Sequence, residues 1–566
     1  MVNIPNQKIN LQLGDINGAK VLAKCLKTKG VEVMFGIVGI PVVEVAEACI
    51  SEGIQFIGCR NEQTASYAAG AYGYLTGKVG VCLVVSGPGV VHALSGLFNA
   101  QANCWPLILI GGSCERNQVG MGAFQELDQV FACKQYTKYS DRPNSIQHIP
   151  EVVDRAFNIT TVGQPGTSYI DLPADLIKGI IKEKEILNYP KLNKLYTIAG
   201  NEEQIELAIK LLSEAKKPLV ILGKGAAYSQ SEKEIQYFIE NSQLPFITSP
   251  MGKGILSDDH PNCASSARSF AIKNADVILV IGARLNWMFQ YGRQFQPLAK
   301  LIQIDINAEE MGKSKIPDIC LVGHIQTIIK QMNLKLKVNN SSKEFLNQIQ
   351  QLSIKNNQRL ESKFKSNKLL MNHHQALKVV QHHLNDLDCC LISEGARTMD
   401  VTRVLIPSKL PRHRLDAGTL GVMGVGVGYA ITAQLVYPEK KVIAIMGDSA
   451  FGFSALDVET CLRYNLPIIF IIINNSGIYS GLSDLSNLDK SKIPSFALSP
   501  STEYHHIAKL VPNKAYGVTV DNKEDLNLAL EKAIKGNQLA IINVIIDPAP
   551  AEEGLYWEIQ DKNSKL

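Results

Sequence analysis

The segment KVIAIMGDSAFGFSALDVETCLRYNLPIIFIIINN, residues 441–475, decides the fold of the last third of this 566-residue chain. Its two apolar runs, VIAIM and IIFIII, are typical of buried strands, and SALDVETCLRYN between them has the pattern of a helix. A strand–helix–strand unit of this kind builds a parallel sheet, in which both strands end at the same edge. Gly447-Asp448-Ser449 follows the first strand and Asn474-Asn475 follows the second, so we predict that they share one crevice.

These polar residues have the chemistry of a cation and phosphate site. An aspartate carboxylate and an asparagine amide oxygen are hard ligands that suit Mg²⁺, with phosphate oxygens as further ligands. Asp448 and Asn475 are therefore the predicted metal ligands. A helix predicted to begin after Phe453 would direct backbone N–H groups at the same phosphates. A Gly-Asp turn or an Asn pair alone is ordinary loop chemistry, and it is their joint spacing that predicts a diphosphate anchor.

The alternation of strand and helix patterns recurs in two blocks upstream. The first runs from Gly18 to about Pro173, and the second contains the strand candidates PLVILG, LPFITS, ADVILVIG and AKLIQIDI. A polar stretch from about Lys335 to Lys368 has the composition of a linker with a surface helix. We predict an α/β fold of three doubly wound parallel-sheet domains, with boundaries at 1–185, 195–335 and 370–550.

The composition excludes several classes of protein. The chain is 46% hydrophobic and 19% charged with a net charge of +4, and it has no lysine- or arginine-rich tract, so we expect no nucleic-acid partner. The longest apolar runs are too short to span a bilayer and the N-terminus is too polar for a signal peptide, so we expect no membrane insertion or secretion. The 12 cysteines contain no CxxC pair, which argues against a zinc site or a disulfide framework.

The C-terminal tail, residues 551–566, ends in Ser564-Lys565-Leu566. This SKL tripeptide is a peroxisomal address that is read by an import receptor. The sequence therefore predicts that the protein is located in the peroxisomal matrix and that the import receptor is one of its partners.

The GDS tripeptide, some two dozen residues and an NN pair together resemble the motif of the thiamine-diphosphate-dependent enzymes. The resemblance implies a pyrimidine-binding domain, a central nucleotide-binding-like domain and a diphosphate-binding domain, in that order. It implies that Gly447, Asp448, Ser449, Asn475 and Gly477 contact the cofactor. Asp448, Asn475 and the backbone carbonyl of Gly477 would be the protein ligands of Mg²⁺.

Two further segments match the family. Glu62 in RNEQTASYAAGAYGY stands where the family has its essential glutamate, which would hydrogen-bond the pyrimidine N1′ of the cofactor; the alternative is a helix cap. A carboxyl group in an apolar pocket has a raised pKa, which suits it to sharing a proton with that ring nitrogen. In GTLGVMG, the carbonyl of Gly421 would accept the 4′-amino group and Met423 would support the bend of the cofactor. The alternative for Met423 is ordinary core packing.

Over nearly its whole length, the chain is most similar to the 2-hydroxyacyl-CoA lyases and the oxalyl-CoA decarboxylases. Where the decarboxylases have Tyr-Glu, this chain has Phe124-Gln125, as the lyases do, and Tyr479 is a further candidate for the pocket. The resemblance therefore implies cleavage of 2-hydroxyacyl-CoA to formyl-CoA and an aldehyde one carbon shorter. Long-chain and 3-methyl-branched substrates, such as 2-hydroxyphytanoyl-CoA, would place the enzyme in peroxisomal fatty acid α-oxidation.

The resemblance also implies a nucleotide site and an oligomer. Lys224, Arg284 and Asp305 follow or end strands of the second block, and with Arg155 they match residues that bind ADP or the nucleotide part of the ligand in the decarboxylases. The alternative is that they are surface charges. The active unit would be a homodimer or homotetramer. The remaining alternatives for the function are an oxalyl-CoA decarboxylase, an acetolactate-synthase-like enzyme and a non-catalytic nucleotide-binding homologue.

Overall fold

The structure is a computed structural model, and it describes residues 14–191, 196–336, 342–362, 364–365 and 369–549. The chain divides between Leu195 and Tyr196 into two compact units. No helix in the described ranges is both long enough and apolar enough to cross a membrane. The predicted tail 551–566, with Ser564, Lys565 and Leu566, lies outside the described residues.

The first unit contains a six-stranded sheet in which every neighbouring pair of strands is parallel, in the order β3-β2-β4-β5-β7-β6. A short antiparallel pair, β1 and β8, stands beside it. The strands are β1 Asp15–Asn17, β2 Val33–Gly36, β3 Gln55–Gly58, β4 Gly80–Val84, β5 Leu107–Ser113, β6 Tyr139–Asp141, β7 Thr167–Pro173 and β8 Ile180–Lys182. The helices are α1 Gly18–Thr28, α2 Val43–Ser51, α3 Glu62–Thr76, α4 Pro88–Asn103, α5 Gln129–Lys134, α6 Ile149–Thr161 and α7 Ala174–Lys178.

The second unit contains two parallel sheets. The middle sheet of the molecule has five strands in the order β10-β9-β11-β12-β13. Its strands are β9 Pro218–Leu222, β10 Phe246–Thr248, β11 Val277–Ile281, β12 Lys300–Asp305 and β13 Ile319–Val322. The helices of this part are α8 Glu202–Glu214, α9 Lys224–Tyr228, α10 Glu232–Ser242, α11 Arg268–Asn274, α12 Ile325–Leu334 and α13 Lys343–Ser362.

The third sheet has six parallel strands in the order β15-β14-β16-β17-β19-β18. These strands are β14 Cys389–Glu394, β15 Arg414–Asp416, β16 Lys441–Gly447, β17 Ile469–Asn474, β18 Ala515–Val520 and β19 Leu539–Ile545. The helices are α14 His373–Leu384, α15 Ala396–Leu405, α16 Gly426–Val436, α17 Asp448–Gly452, α18 Val458–Arg463 and α19 Lys523–Lys535.

The central strands are buried on both faces, which explains their near-continuous apolar sequences. All residues of β4, β5, β9, β11 and β17 are buried. Strands in this position need no polar face, so they read as apolar runs instead of alternating with polar residues. The predicted α/β class with three doubly wound parallel sheets is confirmed, whereas the domain boundaries at 185, 195, 335 and 370 stay predictions.

In each sheet the chain crosses from one side of an early strand to the other, and such a reversal of winding direction is a place where ligands can bind. The reversal lies between β2 and β4 in the first sheet, between β9 and β11 in the second, and between β14 and β16 in the third. Open α/β sheets bind ligands in the crevice that such a switch point leaves beyond the strand ends. Lys224 and Arg284 follow the two strands at this point in the second sheet, and Asp448 follows β16 at this point in the third.

One local prediction is wrong. The helix next to the diphosphate motif does not begin after Phe453, because a short helix already begins at Asp448 and ends at Gly452. A 3-10 turn, Ala455–Asp457, and the helix Val458–Arg463 follow it. Gly447 has extended backbone angles and caps the short helix, so the chain turns directly from the strand into it. Asp448 is thus the first residue of a helix and not part of a preceding loop.

Candidate functional site

Three oxygen atoms meet beyond the C-terminal ends of β16 and β17, which are neighbouring strands of the third sheet. The Asn475 side-chain oxygen lies 3.0 Å from the carbonyl oxygen of Gly477 and 3.2 Å from Oδ1 of Asp448. Without a cation, turning the amide over would place its NH₂ group there as a donor to both oxygens. With a cation, the same three oxygens form half of an octahedral set, because Mg²⁺ takes only oxygen ligands and keeps phosphate and water for the rest. The donor set therefore fits Mg²⁺.

Burial makes the carboxyl group of Asp448 depend on a partner. Asp448 is only 2% exposed, and this burial raises its pKa to about 6 against the lowering effect of neighbouring backbone N–H groups. Oδ1 accepts the N–H of Ser449 at 2.9 Å, and Oδ2 accepts the N–H of Gly477 at 3.1 Å. A buried charge of this kind is costly unless it is paired or binds a metal, and a cation at the oxygen cluster would supply that compensation.

The two asparagines that follow β17 have different roles. Asn474 is fully buried, and its amide donates to the carbonyl oxygen of Thr502 at 2.9 Å while its oxygen accepts the N–H of Ser476 at 3.0 Å. Asn474 thus fixes the backbone turn after β17, whereas the side chain of Asn475 contributes one oxygen to the cluster. Gly477 is required by space, because a β-carbon there would stand 2.0 Å from the carbonyl oxygen of Ser480. Tyr479, in the same turn, is 42% exposed.

The loop from Gly418 to Gly426 is fixed by a buried carboxylate that the sequence analysis did not single out. Glu394, the last residue of β14, is fully buried, and its two oxygens accept the N–H groups of Gly424 and Gly426, the second at 2.6 Å. Burial raises the pKa of Glu394 to about 7. Glu394 thereby holds the segment that contains Gly421, which has a φ of +64° with open space beside it, and the half-buried Met423.

The same loop is held from the middle sheet through Thr419. Lys224 donates to the Thr419 hydroxyl at 2.8 Å and Arg284 donates to it at 3.2 Å. The indole N–H of Trp287 donates to the Thr419 carbonyl oxygen at 2.8 Å. Lys224 and Arg284 follow the two strands that flank the switch point of the middle sheet. These two predicted nucleotide contacts therefore also position the loop of Gly421.

The other two predicted nucleotide residues are Asp305, which interacts electrostatically with Arg284, and Arg155. Asp305 ends β12, and its carboxylate accepts the N–H of Asn307 at 2.9 Å. Burial raises the pKa of Asp305 to about 6. Arg155 belongs to the first unit, where it forms an ion pair with Glu151 at 2.7 Å and is about half exposed.

In the first unit, Glu62 begins α3 and contacts a histidine. Asn61 caps this helix by accepting the N–H of Gln63 at 2.7 Å, so capping does not occupy the carboxylate of Glu62. The Glu62 side chain is 15% exposed, and its Oε2 lies 3.1 Å from Nδ1 of His92 on α4. A β-carbon at Gly89 would stand 3.7 Å from the other oxygen, Oε1. The carboxylate thus faces the first turns of α4.

Gln125 lies against the turn that leads into α4. Its side-chain oxygen accepts the hydroxyl of Ser86 at 3.2 Å, and a β-carbon at Gly87 would stand 2.6 Å from its carbonyl oxygen. The Gln125 backbone has a φ of +54°, an uncommon value for a residue other than glycine. Glu126 braces this bend by accepting the N–H groups of Gly122 and Ala123, each at 2.9 Å. Phe124 projects outward and is 73% exposed.

The second unit also contains a cavity of about 490 Å³. Its walls are formed by residues from the part of the chain that carries the middle sheet and from the part that carries the third sheet. Arg268 in its wall lies over the ring of Phe289, 4.6 Å from the centroid, and Lys378 lies over Phe364 at 4.9 Å. Asp400, also in the wall, has a buried Oδ2 with no hydrogen-bond partner among the described residues. Stacked aromatic and cationic groups suit a polar ligand with a flat ring and phosphates.

Two contacts reveal residues that the sequence analysis missed. Glu394 carries the signal that was used for Asp305, an acidic residue at the end of a buried strand, and could have been found by it. His92 lies inside the stretch VSGPGVVHALSGLFNAQANCWPLILIGG, residues 85–112, but its partner is 30 residues away on another helix. No local pattern predicts such a contact.

Comparison with known proteins gives matches over the whole chain. The models for the thiamine pyrophosphate enzymes match residues 16–132 (N-terminal TPP binding domain), 205–332 (central domain) and 394–544 (C-terminal TPP binding domain). The chain is 45% identical to 2-hydroxyacyl-CoA lyase 1 of Mus musculus, covering 96% of both chains. It is 40% identical to 2-hydroxyacyl-CoA lyase of Arabidopsis thaliana (97% of this chain, 98% of the relative). It is also 40% identical to oxalyl-CoA decarboxylase of Escherichia coli K12 (96% and 97%).

Proposed function

Because this chain belongs to the thiamine pyrophosphate enzyme family, we propose that it is a lyase that cleaves 2-hydroxyacyl-CoA to formyl-CoA and an aldehyde one carbon shorter. The observation that carries the proposal is the oxygen cluster of Asp448, Asn475 and Gly477 beyond the ends of β16 and β17 in the third sheet. It supports a cation and a diphosphate at this crevice. The similarity to 2-hydroxyacyl-CoA lyases over nearly the full length supports the reaction.

The residues of this chain would divide the work of holding the cofactor. Asp448, Asn475 and the carbonyl of Gly477 would bind Mg²⁺, and Gly447 and Ser449 would contact the diphosphate. Gly421 and Met423 would support the aminopyrimidine, and Glu62 would share a proton with its ring nitrogen. When bound, thiamine diphosphate supplies the nucleophilic carbon and the electron sink for breaking the carbon–carbon bond. The protein contributes orientation and protection from water.

The cavity in the second unit supports an acyl-CoA substrate. Its volume and its stacked aromatic and cationic side chains suit the adenine and phosphates of the CoA nucleotide. Lys224, Arg284 and Asp305, together with Arg155, remain proposed contacts for a nucleotide such as ADP. Since Lys224 and Arg284 already hold Thr419, a nucleotide there would have to share these two cations with the loop.

Oxalyl-CoA decarboxylation, which would give formyl-CoA and CO₂, is the second candidate reaction. Phe124 and Gln125 favour the lyase, because neither side chain carries the negative charge that a Tyr-Glu pair has. The exposed ring of Phe124 and the half-exposed Tyr479 offer apolar surface to a long 2-hydroxyacyl chain, including a 3-methyl-branched one. A non-catalytic role has less support, since Glu62, Asp448 and Asn475 are all present. An acetolactate-synthase-like reaction has less support because the similar proteins are 2-hydroxyacyl-CoA lyases and an oxalyl-CoA decarboxylase.

The cell-biological part of the proposal depends on the C-terminal tripeptide and on the relatives. Ser564, Lys565 and Leu566 support import into the peroxisomal matrix through the import receptor, where the enzyme would act in fatty acid α-oxidation. We also propose that the active form is a homodimer or homotetramer. Size-exclusion chromatography with light scattering tests the oligomer, and fluorescence microscopy of chains with and without the tripeptide tests the location.

The reaction can be tested with two substrates in parallel. The purified protein is incubated with Mg²⁺, thiamine diphosphate and either a 2-hydroxy long-chain acyl-CoA or oxalyl-CoA, and the aldehyde, formyl-CoA and CO₂ are measured. We expect fatty aldehyde and formyl-CoA from the first substrate. CO₂ from oxalyl-CoA with no aldehyde from the other would replace the lyase by the decarboxylase. The Glu62→Gln variant is the control, because a protein that only binds nucleotide would not be affected by it.

A further inference from the structure

The contact between Glu62 and His92 joins the first residue of α3 to the second turn of α4. Oε2 of Glu62 and Nδ1 of His92 are 3.1 Å apart, which is hydrogen-bond distance. The carboxylate is 15% exposed, whereas the imidazole is 61% exposed. The imidazole therefore contacts solvent on one side and the sheltered carboxylate on the other.

This arrangement lets one proton move between solvent and the carboxylate. When the imidazole is protonated and the carboxylate is ionised, Nδ1–H donates the hydrogen bond to the carboxylate. When the imidazole is neutral and the carboxyl group is protonated, Nδ1 can accept the hydrogen bond from the carboxyl group. In both states the same two atoms form the hydrogen bond, so the orientation of Glu62 is kept while its charge changes. Oε1, which faces Gly89, stays free of the histidine.

We propose that His92 is a positioning residue for Glu62, which holds Oε2 and exchanges its proton with solvent while Oε1 serves the cofactor. This rests on the proposed function, in which Glu62 shares a proton with the pyrimidine nitrogen. A glutamate that must give up and regain a proton benefits from a neighbour that can both donate and accept one. The imidazole of His92, at hydrogen-bond distance, is such a neighbour.

The other ionisable groups near Glu62 do not supply this exchange. Cys82 on β4 is fully buried, and burial with the nearby Glu62 charge raises the pKa of its thiol well above its usual value, so it stays neutral. Arg60, in the turn before α3, carries a fixed positive charge at neutral pH. Gln63 on α3 donates to Ser95 at 3.1 Å and has no titrating group. Among the described residues, His92 is the side chain in hydrogen-bond contact with Glu62 that can both donate and accept a proton.

The test measures how fast the C2 proton of thiamine diphosphate exchanges with solvent deuterium on the full-length enzyme with Mg²⁺. Proton NMR after rapid acid quench gives this rate without any acyl-CoA, so it does not depend on the substrate. We compare the wild type with His92→Gln, Glu62→Gln and the double variant across pH 5.5 to 8. Glutamine keeps a donor at position 92 but cannot titrate. We expect about tenfold slower exchange in His92→Gln, in the range of lost supporting contacts around a reactive group, with a flatter pH profile.

The double variant separates the proposal from a merely structural role. If His92 acts through Glu62, His92→Gln changes nothing further when Glu62→Gln is already present. The matched control is His148→Gln, since His148 also faces a glutamate in the first unit, Glu151 at 3.6 Å, but does not contact Glu62. Circular dichroism and the cofactor dissociation constant check that each variant is folded and loaded.

The outcomes are distinguishable. Exchange that the wild type does not accelerate, or that Glu62→Gln leaves unchanged, would reject the proposed role of Glu62 and with it this inference. Exchange that depends on Glu62 but is equal in rate and pH profile in His92→Gln and the wild type would reject the role of His92 alone. Equal losses in the His92 and His148 variants, or additive losses in the double variant, would also reject it.

Discussion

Replacing Glu394 by alanine tests whether one buried carboxylate fixes the loop from Gly418 to Gly426. The substitution removes the acceptor of two backbone N–H groups, those of Gly424 and Gly426, in a site that water does not reach. Each buried donor left without a partner costs about 1–3 kcal/mol. Two of them therefore destabilise the closed loop by about 2–6 kcal/mol. Glu394→Gln keeps one acceptor and should lose about 1–3 kcal/mol.

The loss should also depend on pH in a defined direction. Burial raises the pKa of Glu394 from 4.5 to about 7, so the folded state binds a proton more tightly than the unfolded state does. The contribution of a group with a raised folded-state pKa is fully present below the unfolded value and is lost as pH rises through the folded value. At 1.36 kcal/mol for each pKa unit, the difference between the two ends of this window is about 3 kcal/mol. The alanine variant should therefore lose more, relative to wild type, at pH 5 than at pH 8.

Hydrogen–deuterium exchange with mass spectrometry measures the opening of this loop. Each 1.4 kcal/mol of lost protection speeds exchange about tenfold once rates are corrected for intrinsic chemistry. A peptide that covers Gly424 and Gly426 reports it, and exposed Glu439, replaced by alanine, is the matched control. Protection in Glu394→Ala equal to wild type would refute the reasoning, and so would a loss that grows from pH 5 to pH 8.

Three further predictions concern the third sheet and its clamp. Asp448→Asn, like removal of Mg²⁺ with a chelator, should weaken thiamine diphosphate binding at least tenfold in calorimetry; unchanged binding would exclude a cation at this carboxylate. Thr419→Val removes the acceptor of Lys224 and Arg284. It should cost about 1–3 kcal/mol of loop protection, because two charged donors lose a partner, and unaltered exchange would show that these contacts are dispensable. Gly477→Ala cannot fit beside the Ser480 carbonyl, so cofactor binding should be lost while Gly452→Ala, which has open space around it, leaves binding unchanged. Full binding by Gly477→Ala would contradict the crowding.

The parts of the fold that were predictable are those with strong local signals. Strands β16 and β17 are long and apolar because they are covered on both faces. Strands β15, with the sequence RLD, and β6, with the sequence YSD, have no such signal. The charged ends of β15 are acceptable inside the protein only because of partners elsewhere, such as Arg403 for Asp416 at 2.9 Å. Short strands of this kind depend on tertiary context, which local propensity does not contain.

The candidate site divides in the same way. The spacing of Asp448 and Asn475 predicts that they share one crevice, because two neighbouring parallel strands place their ends together. The contact of Lys224 with Thr419 spans 195 residues, and it depends on how two sheets of one unit pack. Glu394 and Gly424 are 30 residues apart, with α15 and β15 between them. Contacts between residues so far apart in sequence form only in the folded chain, so the local periodicity of the sequence does not predict them.

The hydroxyl of Thr419 receives two cations from a different sheet, and this has a practical consequence for redesign of the enzyme. In a saturation library limited to the cofactor loop, every substitution at position 419 would be tested while Lys224 and Arg284 stay unchanged. Neutral or acidic replacements that suit a new substrate would then be discarded for the wrong reason. Mutagenesis that varies position 419 jointly with 224 and 284 would sample solutions that stepwise screening never reaches.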